Sequence, residues 1–418
     1  MTIKRLFLML VTTACCGAAT AQRLTLDDCR RMAHDNYPAI RQYDIIGQSR
    51  DYDIANAAKA WLPQVSLSAG AYAFTDVIKD NDKTAMMGLD MKNHMFNASV
   101  TVRQNVYDGG KTALNRRAAT AEADVQSRQL DVSMYEIYER VEQIYFSILL
   151  IDEQLKQNST LQADLDTSMK TVESMMQGGI ANQSDKDILR VEQLKAVQQH
   201  DQLTASRRAY TRILALFTGS QLGDNTSLEK PDITAGAARQ PLNRPEMSLF
   251  ASQEKALDLQ KAKLNADLRP TVGFVGSGLW HSKVNDLMND GLLLGGLQVS
   301  WNIGALYTRK NDLRRLEEQR QRIDSQRATF LFNNSLQNEE TDGAIETLRK
   351  QLAHDDEIVS LRENIRLASE KKVELGTMSV NDLVQDINAV SMAKAQRAEH
   401  EVLLMKNICH LRTLNNLQ

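Results

Sequence analysis

The sequence predicts a mainly α-helical chain with a smaller β component, built as an internal two-fold repeat in which a β-hairpin precedes a very long helical hairpin. Three observations predict it. The 418 residues hold only six prolines, Pro38, Pro63, Pro231, Pro241, Pro245 and Pro270, and the spacing from Pro38 to Pro63 equals that from Pro245 to Pro270 (25 residues each). Each pair is followed by alternating apolar and polar residues, the signature of half-buried strands. Beyond these lie proline-free runs with apolar residues at 3-4 spacing, which favour long paired helices.

The two copies align residue by residue. Asn36-Tyr37-Pro38 falls on Asn243-Arg244-Pro245 at an offset of 207 (245 − 38), and Trp61-Leu62-Pro63 falls on Leu268-Arg269-Pro270 without a gap. From Asn105 onward the offset is 197 (302 − 105), and it carries Gly179 onto Gly376, Asp185 onto Asp382 and Leu214 onto Leu411. A length change of ten residues confined to one place marks a surface loop tolerant of insertion. The expected organisation is a leader over 1–21, a first repeat over 22–219, a linker over 220–242 rich in Gly, Pro, Asp and Asn, and a second repeat over 243–418.

Within the first repeat a hairpin is expected over about 65–107. Val65, Leu67, Ala69 and Ala71 alternate with Ser66, Ser68 and Tyr72, a polar loop follows over 76–93, and Ala98, Val100, Val102 and Val106 then alternate with Ser99, Thr101, Arg103 and Asn105. The second hairpin, about 271–303, has a glycine-rich first strand, a loop over His281–Gly291, and Leu297, Val299 and Trp301 opposite Gln298, Ser300 and Asn302. Two half-buried hairpins of a soluble sheet would alternate in the same way. Lengths close to the ~9–11 residues that span an outer membrane, with Tyr72, Tyr107, Trp280 and Trp301 near strand ends as interfacial aromatics, favour a membrane setting.

Long helical hairpins are expected over about 110–218 and 306–416. In the first, Met134, Ile137, Val141, Ile144, Ile148, Ile151 and Leu155 make a sustained 3-4 row. Nearly 70 residues at ~1.5 Å each give a helix of about 100 Å. The second row includes Ile358, Leu361, Ile365 and Leu375 but is interrupted by Arg320, Arg327 and Lys372, as a face lined by water would be. Both long helices end in glycine turns, Gly178-Gly179-Ile180-Ala181-Asn182 and Gly376-Thr377-Met378-Ser379, where Gly suits a left-handed C-cap and Asn182 or Ser379 can cap the returning helix.

Lys4 and Arg5, an apolar run from Leu6 to Val11 and Ala19-Thr20-Ala21 before Gln22 form a secretory leader. Thr12-Thr13-Ala14 makes a poor lipobox ahead of Cys15 and Cys16. Removal of the leader leaves Cys29 and Cys409, which excludes a disulfide scaffold and favours free buried thiols. Net charge is −3, with basic residues spread along the chain, and nothing suggests nucleic-acid binding. No apolar stretch after the leader reaches the ~20 residues of a membrane helix, so a membrane would be crossed by strands.

The seven histidines lack ligand spacing and read as solvated. Glu339-Glu340 and Asp355-Asp356-Glu357 read as solvated helix faces, and no nucleophile elbow, Walker loop, GxGxxG or CxxC is present. No catalytic residue, metal site or cofactor is expected, and the chain does not read as an enzyme.

Four strands cannot close a barrel, and an open sheet edge cannot face lipid with unpaired backbone groups. Copies must therefore share one; two or three would reach the eight or more strands of known outer-membrane barrels. With Leu24-Thr25-Leu26-Asp27-Asp28, Ala33, Asn36-x-Pro38, Leu62-Pro63, Tyr107-Asp108-Gly109-Gly110 and the two glycine turns in this order, the chain resembles the TolC-like outer membrane efflux protein family along the whole mature sequence. The resemblance implies a homotrimer in outer-membrane lipid, with a 12-stranded β-barrel, a trimeric periplasmic α-barrel and an equatorial linker. It also implies a closed tip that meets a periplasmic adaptor protein and an inner-membrane pump, exporting small molecules from a Gram-negative cell.

By the same resemblance Asp382 narrows the aperture, Asp185 ties tip helices together, and Gly179, Asn182, Gly376 and Ser379 belong to the adaptor-contacting turns. Met378 stands where the family has an arginine, and Gln385 followed by Asp386 where it has a second acid. Asp185 and Asp382 would equally serve the first turns of their helices. Type I protein secretion and a non-channel periplasmic coiled-coil scaffold are the competing functions.

Overall fold

A computed structural model describes residues 23–73, 94–233, 242–282 and 291–415. The leader and the loop over 76–93 lie outside the described residues, as does 283–290 of the second loop. In chain order the elements are α1 (Leu26–Asn36), α2 (Arg41–Ala58, with short 3-10 turns at Pro38–Ile40 and Lys59–Trp61), β1 (Gln64–Ala73), β2 (His94–Tyr107), α3 (Lys111–Gln177) and α4 (Gln183–Thr218). The second half continues with α5 (Pro245–Asp267), β3 (Thr271–His281), β4 (Gly291–Ser300), α6 (Ala305–Glu374) and α7 (Val380–Asn415).

The duplication extends to element ends. The first residue of β4 lies 197 beyond that of β2 (291 − 94), the last of α6 lies 197 beyond that of α3 (374 − 177), and α7 is α4 displaced by 197 at both ends (380 − 183 and 415 − 218). β4 stops at Ser300, so Trp301 and Asn302 sit in the turn that leads into α6.

The described chain forms two compact units that cut across the repeats. One comprises Met1–Ile40, Asp131–Pro245 and Phe330–Gln418, the other Arg41–Leu130 and Glu246–Thr329. The first unit is helical, with Val141, Tyr145, Phe146 and Ile148 of α3, Leu189 and Leu214 of α4 and Ile387 and Leu414 of α7 nearly or fully buried. The 3-4 row of α3 is thus its core-facing stripe. Part of the linker is pinned within this unit. Leu24 pairs with Leu228 in a short parallel bridge, and the Tyr145 hydroxyl donates to the carbonyls of Leu24 (2.8 Å) and Glu229 (2.5 Å).

Asn36 explains its place in the repeated motif. Its amide donates to the carbonyls of Leu216 and Phe217, both at 3.1 Å, which satisfies the open end of α4. Gly219 follows at φ +66°, and a Cβ there would collide with that amide.

The second unit holds a four-stranded antiparallel sheet in the order β1-β2-β3-β4, together with α2 and most of α5. Asp108 caps the start of α3 by accepting from the backbone N–H of Gly110 (2.8 Å) and Thr112 (2.6 Å). Arg320 and Arg327 do not line a bare water-facing strip in this unit. Arg320 pairs with Asp258 and Arg327 with Glu254, both on α5, and the Arg327 guanidinium also lies 5.9 Å from the centre of the Phe250 ring. Interruption of the apolar row reflects a charged seam between α5 and α6.

A two-faced sheet and a pair of capped helical turns

The register sorts the sheet into two faces. On one, Val65, Leu67, Ala69 and Ala71 of β1 stand opposite Val102, Val100, Ala98 and Phe96 of β2. Val100 then meets Gly278, Ala98 meets Trp280, and Leu293, Leu297 and Val299 of β4 continue the row beside Gly278, Phe274 and Val272. Most of its large side chains are exposed; Leu67 is 76% exposed and Leu293 88%. An apolar surface of this extent is made to meet something other than water.

The other face is polar over its middle. Ser68 and Ser99 share a 2.7 Å hydrogen bond, Thr101 and Ser277 one of 3.2 Å, and Gln64 pairs in register with Arg103. Two of the expected interfacial aromatics belong to the apolar face by register, Trp280 directly and Tyr107 through a bulge. β2 slips between Asn105 and Tyr107, so Asn105 stays opposite Gly273 on the polar face and Tyr107 comes opposite Val272 on the apolar one. Trp301 is exposed just past β4, its indole N–H donating to the Leu268 carbonyl at 2.9 Å. Tyr72 falls on the polar face opposite Met95. Alternation in sequence already grouped Tyr72 with Ser66 and Ser68; nothing in sequence signals the bulge.

At the far ends of α3 and α6 the two turns have the same construction. The N–H of Ile180 reaches the Met175 carbonyl (2.9 Å) and that of Gly179 reaches Met176 (3.1 Å); 197 residues on, Thr377 reaches Lys372 (2.8 Å) and Gly376 reaches Val373 (2.9 Å). These are paired Schellman closures, and they require the left-handed backbone of Gly179 (φ +74°) and Gly376 (φ +69°). Asn182 and Asp185 then form a reciprocal capping box, at 3.2 Å from the Asp185 N–H to the Asn182 side chain and 3.0 Å for the return bond. Asp382 donates its N–H to the Ser379 hydroxyl (3.1 Å), which donates back to its carboxylate (2.7 Å).

Asp185 and Asp382 are therefore engaged in the first turns of α4 and α7. Asp386, one turn further, accepts from the Ser369 hydroxyl of α6 at 2.6 Å. The turns share one apolar core in which Leu165, Val172, Leu189, Val380, Leu383 and Ile387 are buried and Met175, Met176, Ile180's neighbour Ala181 and Met378 pack against it. Met378 thus contributes packing where the family resemblance expects a cation.

Sequence reading missed a buried ionic cluster. Arg30 of α1 donates to Glu142 of α3 (2.7 Å) and to the Thr413 hydroxyl of α7 (2.6 Å), and that hydroxyl lies 3.0 Å from the same Glu142 oxygen. The Glu142 side chain is only 2% exposed, and burial raises its pKa against the opposing pull of Arg30. His400 and Asp355 were expected on solvated faces; they instead form a mostly buried 2.6 Å pair between α7 and α6. Cys29 and Cys409 are buried and unbridged, and burial pushes their pKa values up to about 12 and about 11. Among the described residues no group of three or more His, Cys, Asp or Glu could hold a metal, and no helix is long and apolar enough to cross a membrane.

The outer membrane efflux protein family matches residues 30–220. Among solved structures the chain is similar to CusC, in a study of the conformational changes of folding and transmembrane channel formation (12% identity, 93% of this chain and 91% of that one, TM-score 0.69). It is similar also to the CmeC outer membrane channel of Campylobacter jejuni (12%, 93% and 85%, 0.65) and to the open state of the MtrE outer membrane channel of Neisseria gonorrhoeae (12%, 93% and 88%, 0.65). No curated protein matches the chain in sequence. The outer membrane efflux protein family is thus matched over residues 30–220, and the fold of these outer membrane channels is shared along nearly the whole chain.

Proposed function

We propose that the protein is the outer-membrane exit duct of a tripartite system that exports small molecules, acting as a homotrimer with a periplasmic adaptor protein and an inner-membrane pump. The observation that carries this reading is the sheet. It presents an exposed apolar face, a polar opposite face and two unpaired edges, β1 and β4. Lipid does not accept unpaired backbone groups, so β4 of one copy pairs with β1 of the next. Three copies give twelve strands, an even number within the range of closed outer-membrane barrels.

Dimensions support it. Eight residues separate Val272, opposite Tyr107, from Trp280 on β3, and Trp301 lies two residues beyond the level of Val272, which pairs with Val299. At ~3.3 Å per residue and a tilt near ~40° the aromatic rows stand roughly 20–25 Å apart, close to the ~25 Å apolar band of such barrels.

In this reading the two Schellman turns with Asn182 and Ser379 form the end that meets the adaptor, and Asp382, Asp386 and Asp185 border the closed aperture. Purified protein in mild detergent should sediment as a trimer and give ion-conducting pores in planar bilayers; a monomer without conductance would refute the duct. Asp382→Ala should weaken block of the pore by polyvalent cations, and unchanged block would place the aperture elsewhere.

A further inference from the structure

The polar face of the sheet is not polar throughout. At the end of the strands nearest the inter-strand loops, Tyr72 pairs with Met95 across β1 and β2, and Leu279 pairs with Leu292 across β3 and β4, with Leu294 two residues further along. Register puts all five on the face that carries Ser66, Ser68, Ser99, Thr101 and Ser277, opposite to Leu293, Leu297 and Trp280. Tyr72 is 51% exposed, Leu292 50% and Leu294 60%. Side-chain geometry agrees for Tyr72. A Cβ built on Gly70, which shares its face, would lie 3.0 Å from the Tyr72 ring, so the ring lies along that surface.

Sequence alternation hides this patch because Leu292-Leu293-Leu294 is a continuous apolar run, in which the middle residue belongs to one face and its neighbours to the other.

From this we infer that the mouth of the duct carries an apolar collar, Tyr72, Met95, Leu279, Leu292 and Leu294 from each copy, that binds the apolar portion of amphipathic small molecules as they leave. The inference rests on the duct reading, which makes this face the lumen. A wall wetted only by serine and threonine hydroxyls would pass solutes without regard to their apolar content. Side chains that expose hydrocarbon to the lumen favour solutes that can cover it, because each such contact removes apolar surface from water. Leu279 stands opposite Ser99 and Leu294 opposite Ser277, so the collar borders directly on the hydroxyls tied by the Ser68–Ser99 and Thr101–Ser277 bonds.

The test is block of potassium current by quaternary ammonium ions of equal charge and increasing chain length, added to the loop side of the full-length protein in planar bilayers. Wild type should be blocked more strongly by tetrapentylammonium than by tetramethylammonium, by about fivefold or more. The Leu292→Ser/Leu294→Ser variant should lose most of that preference while keeping its conductance, and Leu292→Met/Leu294→Met should retain it. These residues are half exposed or more, so the substitutions remove little buried core. A chain-length preference unchanged in the serine variant, or absent in wild type, overturns the collar and leaves the duct standing. Absence of any wild-type current defeats the duct itself.

Discussion

Replacing Arg30 with alanine should destabilise the helical unit by an amount that grows with pH. The Glu142 carboxylate is 2% exposed and has two hydrogen-bond partners, Arg30 and Thr413. Removing one member of a buried ion pair costs about 3–5 kcal/mol when the remaining charge has no escape. Here the escape is protonation. Relative to an unfolded-state value of 4.5, carrying the proton at pH 7 costs about 3.4 kcal/mol, and at pH 5.5 about 1.4 kcal/mol, which caps the electrostatic loss at each pH.

The folded-state pKa of Glu142 is raised, and loss of Arg30 raises it further, so the native state binds the proton more tightly than the unfolded chain does. Stability is then highest at low pH and falls as pH rises from about 4.5 through the folded value. Guanidinium unfolding in detergent, followed by circular dichroism, should show a gap between Arg30→Ala and wild type of up to about 3 kcal/mol at pH 7, shrinking toward about 1 kcal/mol at pH 5.5. The Arg30→Ala/Glu142→Ala double variant should recover part of the loss, because the orphaned charge is gone. A gap independent of pH, or a double variant as damaged as the sum of the singles, would show that the cluster acts through packing alone.

Two further outcomes separate local roles. Gly219→Ala should cost more than Gly179→Ala: both residues have positive φ, but a Cβ at 219 strikes Asn36 whereas one at 179 meets open space, so about 1 kcal/mol of backbone strain is expected at 179 and roughly 2–3 kcal/mol at 219. Equal unfolding midpoints for the two variants would contradict the role given to Asn36. Cys29 and Cys409 should resist iodoacetamide at pH 8 in the native protein and react fully once it is denatured, since burial both hides the thiols and suppresses the thiolate; rapid native labelling followed by mass spectrometry would contradict their burial.

What the sequence disclosed was whatever follows a period. The tip ends of the long helices and both ends of the returning helices obey the 197 offset because a duplicated chain keeps its spacing wherever insertion would break a helix pair. Asn182, Asp185, Ser379 and Asp382 were legible because capping is local and depends on residues three apart. Glu142, Arg30 and Thr413 were not. They meet from three helices across separations of more than a hundred residues, and Glu142 occupies one charged position in an otherwise apolar stripe, with no local mark of burial. Tyr107 shows another limit. Its parity in sequence assigns the polar face, and one slipped residue near Asn105 reverses it.

The unpaired edges also restrict how copies can join. β1 runs toward the loop end, and each following strand reverses, so β4 returns from it. In the proposed ring, because each chain contributes an even number of strands, β4 of one copy would meet β1 of the next antiparallel, and alternation of direction would continue without a parallel pair. Continuing each face across that proposed seam would place the row of Leu293, Leu297 and Val299 beside Val65 and Leu67, all outward, and Leu292 and Leu294 beside Tyr72, all inward. A register slip of one residue at the seam would turn Leu67 into the lumen and Ser68 into lipid, at the cost of both faces. In the proposed ring the seam would therefore be specified by the same alternation that builds each hairpin.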